Sequence, residues 1–436
     1  MRDFECYPGE DVDPEIHEDL SSLRYQNGNR RSKQRPPSYH SLLALDKILL
    51  TIFEKPLELA KNRIQKGLRP FTLFTMEEDM TDQSDSKKIT ATYQTLFDMG
   101  MKALQRVGVP ETDARTTMDV LLCADLRGVA SHGIQRLLQY VPRLRDRLIN
   151  PRPRIVVEPV GPAVKQVSGD NGLGAVVGTR GMKEAILLAR ESGIGYVGCR
   201  HSNHFGAAAP YVLLACQEKM IGIAGSNAAP TMGPWGGLAR LVGNNPLAIG
   251  VPCEGDIPFL LDISMSVAAR GKINDMARRK ERIPEGWALD PQGKPTTDPL
   301  EALKGFGLPF GQYKGYGLAV AVDILSGVLT GGGYSTGVRS LVYHWEEPTN
   351  VGHFFIVIDA SRFLSPEALS VRMKQMYQDL REAPPIHPEQ PVLISGEIEA
   401  KLEIDRRKHG IPMDPKIFEI LKGLAEGNYD YEIPKF

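Results

Sequence analysis

From about residue 88 onward the apolar positions recur in two rhythms, and the switches between them mark out the elements. Helical spacing, with apolar residues three and four apart, covers roughly 90–107 and 111–127. A third helical pattern opens at Ser131-His132-Gly133 and continues through Leu137, Leu138, Val141 and Leu144. Serine is a preferred N-cap residue, so this pattern predicts a helix beginning at His132. Short apolar runs then alternate with further helices: extended 163–167, helix 178–192, extended 195–198, helix 207–219, extended 221–225. Extended runs at 247–251 and 259–262 precede a helix from Val267. A loop rich in proline and glycine at 283–313 leads to a long apolar helix at 317–329, and a last sheet segment at 352–359 is followed by helices from Pro366 and at 414–425. Strands and helices mixed in this order predict an α/β fold with a mixed sheet, and no internal repeat is visible.

The first 79 residues follow neither rhythm for long. Residues 1–40 are polar and charged and read as disordered, whereas 41–66 carry one amphipathic helical pattern through Leu42, Leu45, Ile48, Leu49, Ile52, Phe53, Leu57 and Leu59. A peripheral helix docked on the body is the plainer reading of that pattern. A second charged stretch at 77–88, containing Met80, serves as a linker. Residues 1–79 are therefore expected to be an N-terminal extension that the chemistry does not need.

Composition narrows the class. Hydrophobic residues make up 42% and charged residues 24% of the 436, ordinary values for a soluble globular chain. A net charge of -1 predicts neither a nucleic-acid nor an anionic-membrane partner. No apolar run approaches the ~20 residues that span a bilayer. Five scattered cysteines, never in a C-x-x-C arrangement, read as reduced thiols and not as a zinc site or a disulfide framework. The start, Met1-Arg2-Asp3-Phe4-Glu5, lacks the apolar core of a signal peptide and is too acidic for a transit peptide, so a cytoplasmic location is expected.

Candidate chemistry concentrates in two clusters. In Ser131-His132-Gly133-Ile134-Gln135-Arg136 a helix would place His132 and Arg136 four apart on one face. An imidazole able to exchange a proton would then stand beside a guanidinium able to grip a carboxylate with two parallel hydrogen bonds. In Arg200-His201-Ser202-Asn203-His204-Phe205-Gly206 a second imidazole follows a strand and precedes a helix, where α/β proteins place their chemistry. Neither cluster has metal-ligand spacing, so no metal is expected.

Two glycine motifs mislead. Gly193-Ile194-Gly195-Tyr196-Val197-Gly198 matches the dinucleotide fingerprint G-x-G-x-x-G, but here the glycines end a helix and the strand comes afterwards, the reverse of what phosphate binding at a helix start requires. Gly333-Tyr334-Ser335-Thr336-Gly337 matches a nucleophile elbow yet follows a helix and a glycine run, so it reads as a loop. Three other segments look built for a ligand. Asn227-Ala228-Ala229-Pro230 offers close backbone approach, and Asp262-Ile263-Ser264 puts a carboxylate at a strand end. Lys314-Gly315 sets an ammonium at a helix start.

With these residues together the chain resembles the type-2 malate/L-lactate dehydrogenase family, which includes ureidoglycolate and sulfolactate dehydrogenases, diketogulonate reductase and cyclic-imine reductases. The matching stretches are Ala124-Asp125-Leu126-Arg127-Gly128 through Arg136, Ser202 to Gly206, Pro234-Trp235-Gly236-Gly237 with Gly243-Asn244-Asn245-Pro246-Leu247, Asp262 to Met265, Ile283 to Ala288, Lys314 to Gly317 and Ser326 to Gly331. They run in family order across roughly 88–430.

The resemblance implies a non-Rossmann NAD(P)-binding mixed sheet with a helical domain. The expected division is an extension at 1–79, a helical substrate and dimer domain at 88–160 with 364–430, and a cofactor domain at 161–360. It also implies a homodimer and NAD or NADP as cofactor. Among the family, the acid/base role falls on the position of His132 in some members and of His204 in others, with Ser131 beside it, while Arg136 anchors the substrate carboxylate. Cofactor contacts carry over to Asn203, Asn227, Ala228, Asp262, Ile263, Ser264, Lys314, Gly315, Gly396 and Glu397. The implied reaction is hydride transfer between nicotinamide and a small 2-hydroxy/2-oxo acid of the malate/lactate type. Cyclic imino acid reduction or a ureidoglycolate-type oxidation is the enzymatic alternative, and an inactive dinucleotide-binding scaffold is the non-enzymatic one.

Overall fold

The computed structural model describes residues 88–433; the expected extension at 1–79 lies outside them. The first layer is helical. Strand β1 (Ile89–Ala91) leads into α1 (Tyr93–Arg106), which starts where the Thr92 hydroxyl accepts the Thr95 amide. Helix α2 (Glu111–Leu126) follows a proline and has two acidic residues in its first turn, matched to the helix dipole. Two single 3₁₀ turns, Ala130–His132 and Ile134–Arg136, precede α3 (Leu137–Arg145). The apolar stripes of these helices meet in one core that includes Leu96, Leu104, Met118, Leu121, Leu137 and Val141.

A sheet of seven strands forms the second layer, in the order β2-β3-β4-β12-β5-β8-β9. Its members are β2 (Val156–Gly161), β3 (Val164–Ser168), β4 (Ile194–Ser202), β5 (Ile221–Ser226), β8 (Leu247–Val251), β9 (Phe259–Ile263) and β12 (Val351–Ile358). Within this sheet, among the described residues, only β3 and β4 pair in parallel; β12 runs antiparallel between β4 and β5. This is a mixed sheet and not a doubly wound parallel one. Helices α4 (Gly174–Ser192) and α5 (Ala209–Gln217) cover one face. Helix α4 ends on Gly193 with φ +85°, and β4 begins at the next residue, which settles the order of helix and strand around the misleading glycine run.

A smaller sheet joins β6 (Pro230–Met232), β7 (Val242–Gly243), β10 (Ala288–Leu289) and β11 (Phe306–Gly307). Around it lie α6 (Arg270–Arg279), α7 (Pro299–Lys304) and α8 (Tyr313–Asp323), which runs on into a wider π turn at Ile324–Val328. Near the C-terminus come α9 (Pro366–Arg381), α10 (Glu397–His409), β13 (Ile411–Met413) and α11 (Pro415–Glu426). β13 pairs with β1, and α11 contributes Leu421 and Leu424 to the helical core.

Three expectations need correction. The helix predicted from His132 begins at Leu137, because Gly133 is extended (φ -85°, ψ -159°) and breaks the chain into two tight turns. The helix predicted from Val267 begins at Arg270, and that predicted at 317–329 begins four residues earlier, at Tyr313. Strand β2 and helix α10 were not foreseen: β2 is an edge strand with mostly exposed positions and a proline, and α10 has no buried residue to write a stripe.

Candidate active site

The Ser131–Arg136 segment is shaped by what its backbone bonds to. Arg136 folds back so that Nε donates to the Ser131 carbonyl at 2.6 Å, while Nη1 donates to Gln139 Oε1 at 3.3 Å. Its guanidinium is therefore held in plane and buried, at 8% exposure. His132 stands beside it half-buried, its Nδ1 3.0 Å from the Ser131 hydroxyl. The proximity of imidazole and guanidinium is as expected, but its cause is this turn and not helical spacing. Burial and the Arg136 charge hold the His132 imidazole down, to about 3.

Asp125, in α2, fixes the turn from below. Its Oδ2 accepts the Ile134 amide at 2.7 Å, and a Cβ on residue 133 would lie 1.9 Å from its Oδ1, so only glycine fits there. Burial raises the Asp125 carboxyl to about 7, against the opposing pull of the Ile134 amide and Arg406. A folded-state value above the ordinary one means that the fold binds a proton the unfolded chain has released. This contribution to stability is fully present below about pH 4 and is lost as pH rises through 7. Asp125→Asn keeps an acceptor for Ile134 and cannot ionise. Its stability relative to wild type should therefore grow between pH 4.5 and pH 8 in urea or thermal unfolding; parallel pH profiles for the two proteins would refute the assignment.

The second cluster arrives from the other layer. After β4 the chain turns so that His204 meets α3: the Tyr140 hydroxyl lies 2.6 Å from His204 Nδ1. The Gly206 amide approaches the same nitrogen at 3.4 Å, so Nδ1 is the acceptor and Nε2 carries the proton. The rings of His132 and His204 stack with centroids 5.4 Å apart. Burial, Arg136, His132 and His353 together keep His204 well below the ordinary histidine value. Tyr140 and Asp125 are the participants that sequence reasoning missed. Tyr140 lies four residues after Arg136, the spacing that places both on one side of the chain entering α3, and that was the available signal.

The residues expected at the cofactor divide into two groups. Asn203 and Asn227 are buried and spend their side chains on protein. Asn203 donates to the Asn171 and Gly172 carbonyls and accepts from Thr349, and Asn227 bonds Asp323, Gly333 and the Gly352 amide. Glu397 pairs with Lys401 at 2.9 Å and Arg381 at 3.2 Å. Gly396, at φ +89°, starts α10 against Leu260, to which a Cβ would come within 2.7 Å. The others border open surface. Lys314 is exposed in the first turn of α8, and Gly315 lets that turn rest on Phe310, whose carbonyl a Cβ would meet at 2.0 Å. Asp262 caps α5 by accepting the Ala209 amide at 2.8 Å, and burial raises its carboxyl to about 6. Ser264 contacts Ser266 at 2.9 Å, and Ile263 packs partly buried behind it. The Ala228 amide donates to Asn245 Oδ1, and Asn245 in turn donates to Ala319 of α8, which makes the Ala228 loop and α8 one wall. An exposed ammonium at a helix start on such a wall fits an anionic dinucleotide. Among the described residues no group of three metal-ligating side chains comes together.

Residues 91–422 match the malate/L-lactate dehydrogenase family. A malate dehydrogenase of Pyrococcus horikoshii is 42% identical over 351 residues, a match spanning 78% of this chain and 96% of the relative. An L-sulfolactate dehydrogenase of Methanocaldococcus jannaschii is 41% identical over 323 residues, covering 74% of this chain and 92% of the relative. The solved structure of sulfolactate dehydrogenase from that organism superposes with a TM-score of 0.73 at 38% identity, over 78% of this chain and 99% of that one.

Proposed function

The chain belongs to the malate/L-lactate dehydrogenase family, and from that premise we propose how its residues carry out the reaction. The protein is an NAD(P)-dependent oxidoreductase of small hydroxy/oxo acids. We assign it an open-chain 2-oxo acid of the malate/lactate type. The observation that carries the assignment is the convergence of Arg136, His132, His204 and Tyr140 from two layers.

Lys314, Gly315, Asp262, Ser264 and the Ala228 backbone would hold NAD(P), which when bound would accept or donate the hydride. Arg136, its plane fixed by Ser131 and Gln139, grips the substrate carboxylate. His204, locked by Tyr140 and Gly206, points an Nε2–H at the substrate oxygen and stays neutral. His132 exchanges the proton with that oxygen. Pairing Arg136 with a carboxylate removes one of the two influences that hold its imidazole down. Proton transfer of this kind contributes about 10²–10⁴ in rate.

The deciding experiment follows NADH and NADPH oxidation with a panel of 2-oxo acids and cyclic imino acids. Turnover with oxo acids is the expected result. Turnover with imino acids alone would move the chain to the cyclic-imine alternative, and none with any substrate would make it a scaffold.

Two further assignments belong to the same reading. The working form is a homodimer: among the described residues α8 and the turns after it expose Leu318, Ile324, Val328 and Leu329, an apolar face that a second copy would cover. The location is the cytoplasm, in keeping with the free thiols of Cys123, Cys199, Cys216 and Cys253. The division proposed is a helical domain at 88–160 with 364–430 and a cofactor domain at 161–360, with 1–79 as an extension the chemistry does not need. A chain beginning at Met80 should keep turnover within about twofold of the full chain, since the family match starts only at residue 91. Lost activity with an unchanged thermal transition would place part of 41–66 in the site.

A further inference from the structure

Strand β12 reads Val351-Gly352-His353-Phe354-Phe355-Ile356-Val357-Ile358, a single ionisable side chain in an apolar run at the centre of the sheet. His353 is fully buried. Its Nδ1 lies 2.8 Å from the Ser226 hydroxyl and its Nε2 lies 2.8 Å from the Ser202 hydroxyl. These serines are the last residues of β5 and β4, the two strands that flank β12. The Ser226 hydroxyl can donate onward to the Asn227 carbonyl at 3.0 Å or the Gly352 carbonyl at 3.1 Å. A neutral imidazole that donates from Nδ1 to Ser226 and accepts at Nε2 from Ser202 satisfies every group. Burial keeps the ring neutral, down to about 3. The ring face also stacks on Phe205, with centroids 4.7 Å apart and planes 3° from parallel.

His353 therefore holds Ser202 through a hydrogen bond and Phe205 through its face, on either side of His204. Through Ser226 it holds the loop carrying Asn227 and Ala228. Nothing in the folding of a β-strand requires a polar group here, since the neighbouring positions are filled by phenylalanine and valine. We propose that His353 is a positioning residue for the reaction: by clamping the ends of β4 and β5 it sets where His204 stands relative to the Asn227-Ala228 loop. The proposal rests on the reading of His204 as the group that contacts the substrate oxygen.

The test uses the full chain and a double-mutant cycle on kcat. His353→Phe keeps the stack and removes both hydrogen bonds, and Ser202→Ala removes one with little change of shape. His353→Phe should lower kcat about ten- to a hundredfold while KM for the oxo acid stays within about threefold, because a small misplacement costs turnover more than binding. Ser202→Ala should show a weaker loss in the same direction. In a His204→Gln background His353→Phe should cost less than about twofold further, since its route of action is already gone. Wild-type kcat in both His353→Phe and Ser202→Ala would overturn the proposal, as would a loss that adds fully to that of His204→Gln. Wild-type turnover in His204→Gln alone would instead remove the reading on which the proposal stands.

Discussion

Replacing Arg136 by lysine raises KM for the 2-oxo acid about a hundredfold and leaves the dissociation constant of the reduced cofactor within about twofold of wild type. Lysine keeps the positive charge, so the loss measures the fork and not the field. A guanidinium bonded at Nε to Ser131 and at Nη1 to Gln139 can only turn one way, and that rigidity is what a carboxylate with two parallel acceptors exploits. A flexible ammonium would leave the Ser131 carbonyl and the Gln139 amide short of a donor in a buried place, a cost of about 1–3 kcal/mol that appears as lost stability. The cofactor contacts assigned to Lys314, Asp262 and Ser264 lie in α8, on β9 and on the residue after it, outside the turn that carries Arg136. Steady-state kinetics with cofactor fluorescence titration separates the two constants. Equal damage to cofactor binding would refute Arg136 as the substrate anchor.

What the sequence made legible was whatever local spacing writes. Strand β8 has the predicted bounds at both ends, α9 starts at the predicted Pro366, and Gly193 caps α4 as its position between helix and strand required. The Ser131 cap failed because one residue, Gly133, takes an extended conformation that only the distant Asp125 carboxylate explains. The same applies to the site. His132, Arg136 and His204 could be named from their segments, but that Tyr140 reaches His204 across 64 residues is a property of packing. Asn203 and Asn227 show the converse. Their spacing does not show that both side chains hold loops, since a buried amide must find partners in the protein. The polar residue in β12 was the clearest signal left unread, because a histidine inside an apolar central strand has to be hydrogen-bonded to something.

The pH profiles of the two histidine variants should separate the proton-transfer residue from the one that orients the oxygen. In the free enzyme burial and Arg136 keep His132 at about 3, so it is neutral across the working range and kcat/KM for hydroxy-acid oxidation has no histidine limb above about pH 4. In the substrate complex the carboxylate's charge offsets that of Arg136, and this favours the imidazolium. The ionisation in kcat therefore lies above that in kcat/KM. Oxidation, which needs the neutral base, loses kcat as pH falls through the raised value; reduction, which needs the acid, loses kcat as pH rises through it. His132→Gln should abolish that limb and lower kcat about a hundredfold or more. His204→Gln should lower kcat and keep the limb, because a neutral hydrogen-bond donor contributes no titration. If His204→Gln erases the limb and His132→Gln preserves it, the roles are exchanged. If both variants keep the wild-type profile, the proton travels by neither imidazole, and the stacked pair serves only to shape the pocket beside Arg136.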